Sequence, residues 1–117
     1  MPKTAIIVLA GTEAPSDLGR VVNALQTAKE LDDHGDEIEL IFDGAGTQWV
    51  PELADEGHDY HALYDAVEHH AQVCSYCADA YDVDDEVEDE PVEEVAEFEG
   101  HPSVRSLVAD GYEIITY

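Results

Sequence analysis

Two cysteines, Cys74 and Cys77, stand at C-x-x-C spacing in a chain of 117 residues, and they are the residues best suited to chemistry. In a compartment where thiols stay reduced, this spacing points to redox, sulfur or metal chemistry before a structural disulfide. The apolar stretch 70–74, HAQVC, reads as a short strand, and a short helix is expected to begin near Tyr76. Cys77 then falls at or just inside a helix start, where backbone amides and the helix dipole favour a thiolate. A thiolate is the form that attacks sulfur, and Cys74, three residues earlier, is placed to resolve an oxidised or persulfidated Cys77 as a disulfide. Asp79 and the acidic run that follows oppose a thiolate, an effect that salt weakens. The alternative is that both cysteines are small buried hydrophobes.

The elements that must position this pair alternate between strands and helices. Residues 4–10, TAIIVLA, read as a strand buried on both faces. Ser16 and Asp17 are candidate N-caps for the next helix, whose Leu18, Val21, Val22, Leu25 and Ala28 form one apolar stripe. Gly35 is its expected terminator. EIELIF at 37–42 reads as a second strand, followed by a short helix near 48–55 and another over 60–68. Pro102 suits the first turn of a last helix, with Val104, Leu107 and Val108 inward and Gly111 as its stop, before a closing strand YEIITY. The expected fold is α/β, a three-layer α/β/α arrangement with a mostly parallel sheet of four to five strands, in one domain spanning 1–117. Eleven of the 18 residues in 82–99 are acidic, which predicts a solvated loop, with a short edge strand near Val95–Phe98 as the alternative.

In such a sheet, chemistry collects at the carboxyl ends of the strands. Loops beginning at Gly11, at Asp43-Gly44 and at Cys74 should converge there. Asp43 is placed to accept a hydrogen bond or orient a substrate, Gly44 to let the backbone approach, and Trp49 and Tyr76 either to wall the crevice or to serve the core or a subunit interface. Asp43–Gly46 lacks the Lys and Ser/Thr of a phosphate-binding loop. Of six histidines, His101 is the one expected to face the cysteines. No metal and no cofactor is expected, because a lone C-x-x-C lacks its second pair of ligands; a Cys/His metal site stays as an alternative.

An ordered set of segments carries a family resemblance: VCSYCADAYDV around the cysteines, TAIIVLAGTEAPSDLGRVVNALQTAKEL at the start, EIELIFDGAGTQWVPEL, and HPSVRSLVADGYEIITY at the end. Together they resemble the DsrE/DsrF-like family of small sulfur-relay proteins over nearly the whole chain, apart from 82–99. The resemblance implies frequent homo-oligomers. It also implies a role as sulfur carrier between a protein donor and a protein acceptor, with the persulfide on the residue matching Cys77. Cys74 matches an additional cysteine found in some members. A non-catalytic oligomeric module that binds a small ligand is the competing reading.

Charge bounds the partners. There are 29 acidic residues against 4 basic ones, a formal net charge of -25. Such a surface cannot neutralise phosphates, so neither nucleic acid nor an anionic membrane is expected to bind. The opening MPKTAIIVLAG is too short and too weakly basic for a signal peptide, so the cytoplasm is the expected location. Acidity spread along the whole chain, with lysine nearly absent, suits a salt-loaded, halophilic cytoplasm in which self-repulsion is screened. The melting temperature should therefore rise steeply between low and multimolar potassium chloride; a Tm indifferent to salt in a calorimetric series would remove the halophilic reading.

Overall fold

A computed structural model describes residues 2–117. Strand β1 is Lys3–Val8 and helix α1 is Pro15–Asp33. Strand β2, Glu37–Phe42, leads through a 3₁₀ turn, Gly44–Gln48, into α2, Trp49–Ala54. Helix α3, His61–Val67, and a second 3₁₀ turn, Glu68–His70, precede β3, Ala71–Cys74. Then follow α4, Ser75–Ala80; α5, Asp84–Glu88; β4, Glu93–Val95; α6, Val104–Ala109; and β5, Glu113–Thr116. All five strands are parallel, in the order β4-β3-β2-β1-β5. The fold is thus the expected α/β/α arrangement, with the sheet at the upper end of the expected strand count.

The order has a direct consequence. From β1 to β4 each crossover moves one strand in the same direction, and right-handed crossovers then place α1 to α5 on one face. Ile6, Val8, Leu40, Phe42 and Val73 on that face are fully buried against Val21, Leu25, Val50, Leu53 and Val67 of the helices. Each such side chain contributes roughly 1.5–3 kcal/mol. The return from β4 to β5 crosses the other face, which α6 covers only thinly. A cavity of about 260 Å³ lies between sheet and helix there, lined by Glu39, Gln72, Glu93, Glu97, Leu107 and Tyr112 among others. Burial in that cavity pushes the Glu39 carboxyl above the usual carboxylate range.

Several sequence expectations need correction. Helix α1 starts at Pro15 with Ala14 as its N-cap, not at Ser16 or Asp17, and neither of these side chains caps it; the fixed φ of proline already suits the first helical position. Its far end closes as expected: Gly35 adopts φ 76°, and the amides of Gly35 and Asp36 donate to the carbonyls of Asp32 and Leu31. The acidic segment is no plain loop. It forms α5 and β4, anchored by the buried Val87 and Val95, and the edge strand ends where the sequence suggested it began. Helix α6 has Ser103 as N-cap, its Oγ accepting from the Ser106 amide at 3.2 Å, so Pro102 lies outside it. Val104 and Val108 point outward, Val108 being 58% exposed, because no further layer packs on that side.

One contact fixes the loop after β2 against β1. A Cβ at Gly46 would land on the carbonyl oxygen of Val8, which itself accepts from the Asp43 amide at 2.9 Å. Backbone cannot give way as a side-chain tip can. Gly46→Ala should therefore cost about 3 kcal/mol, read as a lowered urea midpoint; unchanged stability would show that this loop is free to shift.

Candidate functional site

Strands β2 and β3 run side by side with Phe42 paired to Val73. The next residues in that register, Asp43 just past β2 and Cys74 at the end of β3, are neighbours at the carboxyl edge of the sheet. Cys74 is the N-cap of α4, and its Sγ accepts the Cys77 amide at 3.4 Å. The helix then begins at Ser75, one residue earlier than the sequence suggested, and Cys77 is its third residue. The C-x-x-C spacing thereby becomes one turn in which the first sulfur caps the amide of the second cysteine.

Two further groups close on this turn. Asp43 is oriented by its own loop: its Oδ1 accepts the Gly44 amide at 2.8 Å, and Gly44 takes φ 55°. The same oxygen accepts the Cys77 thiol at 3.3 Å. His101 arrives from the opposite side on a tight turn. Phe98 and His101 exchange both backbone hydrogen bonds at 2.9 Å, and Glu99 and Gly100 between them both have positive φ. This turn places His101 Nδ1 at 3.4 Å from Cys74 Sγ and 4.0 Å from Cys77 Sγ. The His101 ring packs on Tyr76 with centroids 4.6 Å apart, and the Gly100 carbonyl accepts the Tyr76 amide at 2.9 Å.

The two thiols are free and unequal. Cys74 has no exposed surface, while Cys77 retains 8%. Burial pushes the Cys74 thiol up to about 12, with the neighbouring Cys77 thiol and Asp43 carboxylate adding to the rise. Cys74 therefore stays protonated over the physiological range. The His101 imidazole presents Nδ1, a ring nitrogen donor or acceptor, beside both sulfurs.

The other residues singled out in the sequence lie further back. Gly11 packs on Ala45 and Gln48 of the second loop, not on the sulfurs. Trp49 is 3% exposed and donates its indole N–H to the Ala10 carbonyl at 2.9 Å, tying the first loop to the second from within the core. Tyr76 is 59% exposed and walls the site only through His101. The remaining histidines are engaged locally, His34 at the Glu30 carbonyl, His61 at the Leu53 carbonyl and His70 at Asp32. Sequence reasoning missed the turn that delivers His101; the Glu99-Gly100 pair carried the signal, a glycine at the second centre of a two-residue turn. Among the described residues, no helix is long and apolar enough to cross a membrane.

The family model described as "DsrE/DsrF-like family" matches residues 5–117. An uncharacterized protein of Methanocaldococcus jannaschii is 30% identical over 95 residues, covering 81% of this chain and 78% of that protein. No solved structure gives a significant match. The match through both cysteines, the acidic segment and the closing strand shows that the chain belongs to the DsrE/DsrF-like family.

Proposed function

We propose that this protein carries sulfane sulfur as a persulfide on Cys77, within a sulfur relay between a donor and an acceptor protein. The observation that carries this reading is the inequality of the pair: Cys77 reaches the surface between Asp43 and His101, and Cys74 does not. Family membership supports the chemical class. The Cys77 thiolate attacks the outer sulfur of a donor persulfide. A new S–S bond forms on Cys77, the donor S–S bond breaks, and the donor leaves as a thiolate. Asp43 holds the resting thiol hydrogen, and His101 accepts that proton before the thiolate attacks. Transfer to an acceptor thiolate is the same exchange in reverse order.

Cys74 is the resolving partner in this scheme. Its attack on Cys77 Sγ would release the outer sulfur as hydrosulfide and leave a Cys74–Cys77 disulfide, which a cellular dithiol must then reduce. Keeping Cys74 protonated slows that discharge and preserves the loaded state. The protein is read as working in the cytoplasm, where both thiols stay reduced. It is also read as a homo-oligomer, and the exposed Phe98, on the turn that carries His101, together with Val104 and Val108 on the outer face of α6, is the apolar surface available to a second copy.

Three measurements test these readings. After incubation of the folded protein with a persulfide donor, intact mass and peptide mapping should show one added sulfur on Cys77. Alkylation at pH 8 should modify Cys77 and spare Cys74, because a thiol shifted to about 12 is ionised in roughly one molecule in ten thousand at that pH. Cys74 should react only on unfolding or as the pH nears 12. Sulfur or alkyl label found first on Cys74 would overturn the assignment. Val108→Lys should shift the sedimentation coefficient toward that of a single chain; a monomeric parent protein sinks the oligomer reading.

A further inference from the structure

We infer that Asp43, Cys74, Cys77 and His101 form a binding site for a zinc ion, and that the ion and sulfane sulfur on Cys77 exclude one another. One ligand atom from each of the four residues lies within 4.8 Å of all the others. The measured edges are 3.3 Å from Cys77 Sγ to Asp43 Oδ1, 3.4 Å from Cys74 Sγ to His101 Nδ1, and 4.0 Å from Cys77 Sγ to His101 Nδ1. Zinc bonds of about 2.3 Å to sulfur and about 2.0–2.1 Å to nitrogen or oxygen imply tetrahedron edges of about 3.5 Å. The cluster is already close to that size without an ion.

The donor set is also right in kind. Two thiolates, one imidazole and one carboxylate suit a borderline-soft divalent ion and give four-coordinate geometry. A lone C-x-x-C lacks its second half in the sequence. Here Asp43, 34 residues from Cys77, and His101, 24 residues from it, supply that half from two other loops. Three of the four ligands are already oriented by a second group, as resident metal sites require. The Gly44 amide fixes Asp43, the Cys77 amide faces Cys74 Sγ, and the Phe98–His101 turn with its Tyr76 stack fixes His101. Among the described residues, the other cluster of candidate ligands, Asp32, His69 and His70, offers no thiolate and lies at the surface.

Binding releases one proton from each thiol to solvent and leaves a Zn²⁺ bis-thiolate, so affinity falls as pH falls. With both sulfurs on the ion, the thiolate charge of Cys77 is drawn into the metal–sulfur bond, which lowers its nucleophilicity toward a donor persulfide. With a persulfide on Cys77, its inner sulfur no longer bears the thiolate charge. The mutual exclusion rests on the carrier reading above; the metal site itself does not.

Cobalt reports on such a site directly, because thiolate-to-cobalt charge transfer and tetrahedral d–d bands appear only when the ligands close on the ion. Reduced, chelator-stripped full chain should bind one Co²⁺ with both signatures, and one equivalent of Zn²⁺ should bleach them. Cys77→Ser should roughly halve the charge-transfer band, and replacing both cysteines by Ser should abolish it. Asp43→Asn, which keeps the oxygen facing Gly44, and His101→Ala should each weaken binding at least tenfold while the far-ultraviolet spectrum stays unchanged. Absence of the thiolate band in folded protein, or affinity indifferent to both Asp43→Asn and His101→Ala, overturns the site. Persulfide loading is measured by mass on the stripped protein alone and then with zinc. Loading that proceeds equally with zinc bound overturns the exclusion, whereas failure to load the stripped protein, with cobalt binding intact, removes the carrier reading and leaves the metal site standing.

Discussion

The register between β2 and β3 is the constraint from which the site follows. Leu40 pairs with Ala71, Ile41 with Gln72 and Phe42 with Val73. One further step sets Asp43 beside Cys74. Nothing in the chemistry of those two residues enforces this. It is enforced by Leu40, Phe42, Ala71 and Val73, which all face the helices and are all buried. A slip of one residue would turn a whole strand over and bring its apolar set to the wrong face. Each large side chain so misplaced costs roughly 1.5–3 kcal/mol. The distance between a carboxylate and a thiol is therefore held by hydrophobic packing several ångströms beneath them.

Parallel strands add a second condition. Because all five strands point the same way, the loops leaving β1, β2 and β3 emerge at one edge. Trp49 and Gly46 then bind the first two of these loops together, one through its indole and the other by having no side chain. Asp43 is consequently tied to β1 as well as to β3. Its carboxylate serves both the Gly44 amide and the Cys77 thiol, so loop conformation and thiol environment are coupled through one oxygen.

Much of this was legible in the sequence. Continuous β-branched runs announced β1 and β2, the apolar stripe announced α1, and strand–helix alternation implied the parallel sheet. The position of Cys77 near a helix start followed from the short strand before it. Periodicity failed where elements are short and charge dominates. Helix α5 is held by a single buried residue, Val87, and β4 has three residues of which two face solvent, so neither carries a repeating pattern. The inward Val104 and Val108 were a reasonable inference from helical spacing, but spacing says which residues share a face and not whether anything lies against it. Trp49 drew attention as an aromatic near a loop, although its size suits it to the core as well as to a crevice. Asp43 and His101 were visible singly. Their approach to the same two sulfurs depends on strand register and on a positive-φ turn, which no local pattern encodes.

The turn that carries His101 is joined to the cysteine helix at Gly100, whose carbonyl holds the Tyr76 amide and whose missing side chain makes room for Tyr76 Cβ, 3.2 Å from where its own Cβ would stand. Displacing the turn would break the Tyr76–Gly100 hydrogen bond and take both the imidazole and the Gly100 carbonyl away from Cys74. Access to the inner sulfur and loss of the histidine are then a single event, so a docking protein that gripped this one turn would change who can reach the thiols and what they can do at the same moment.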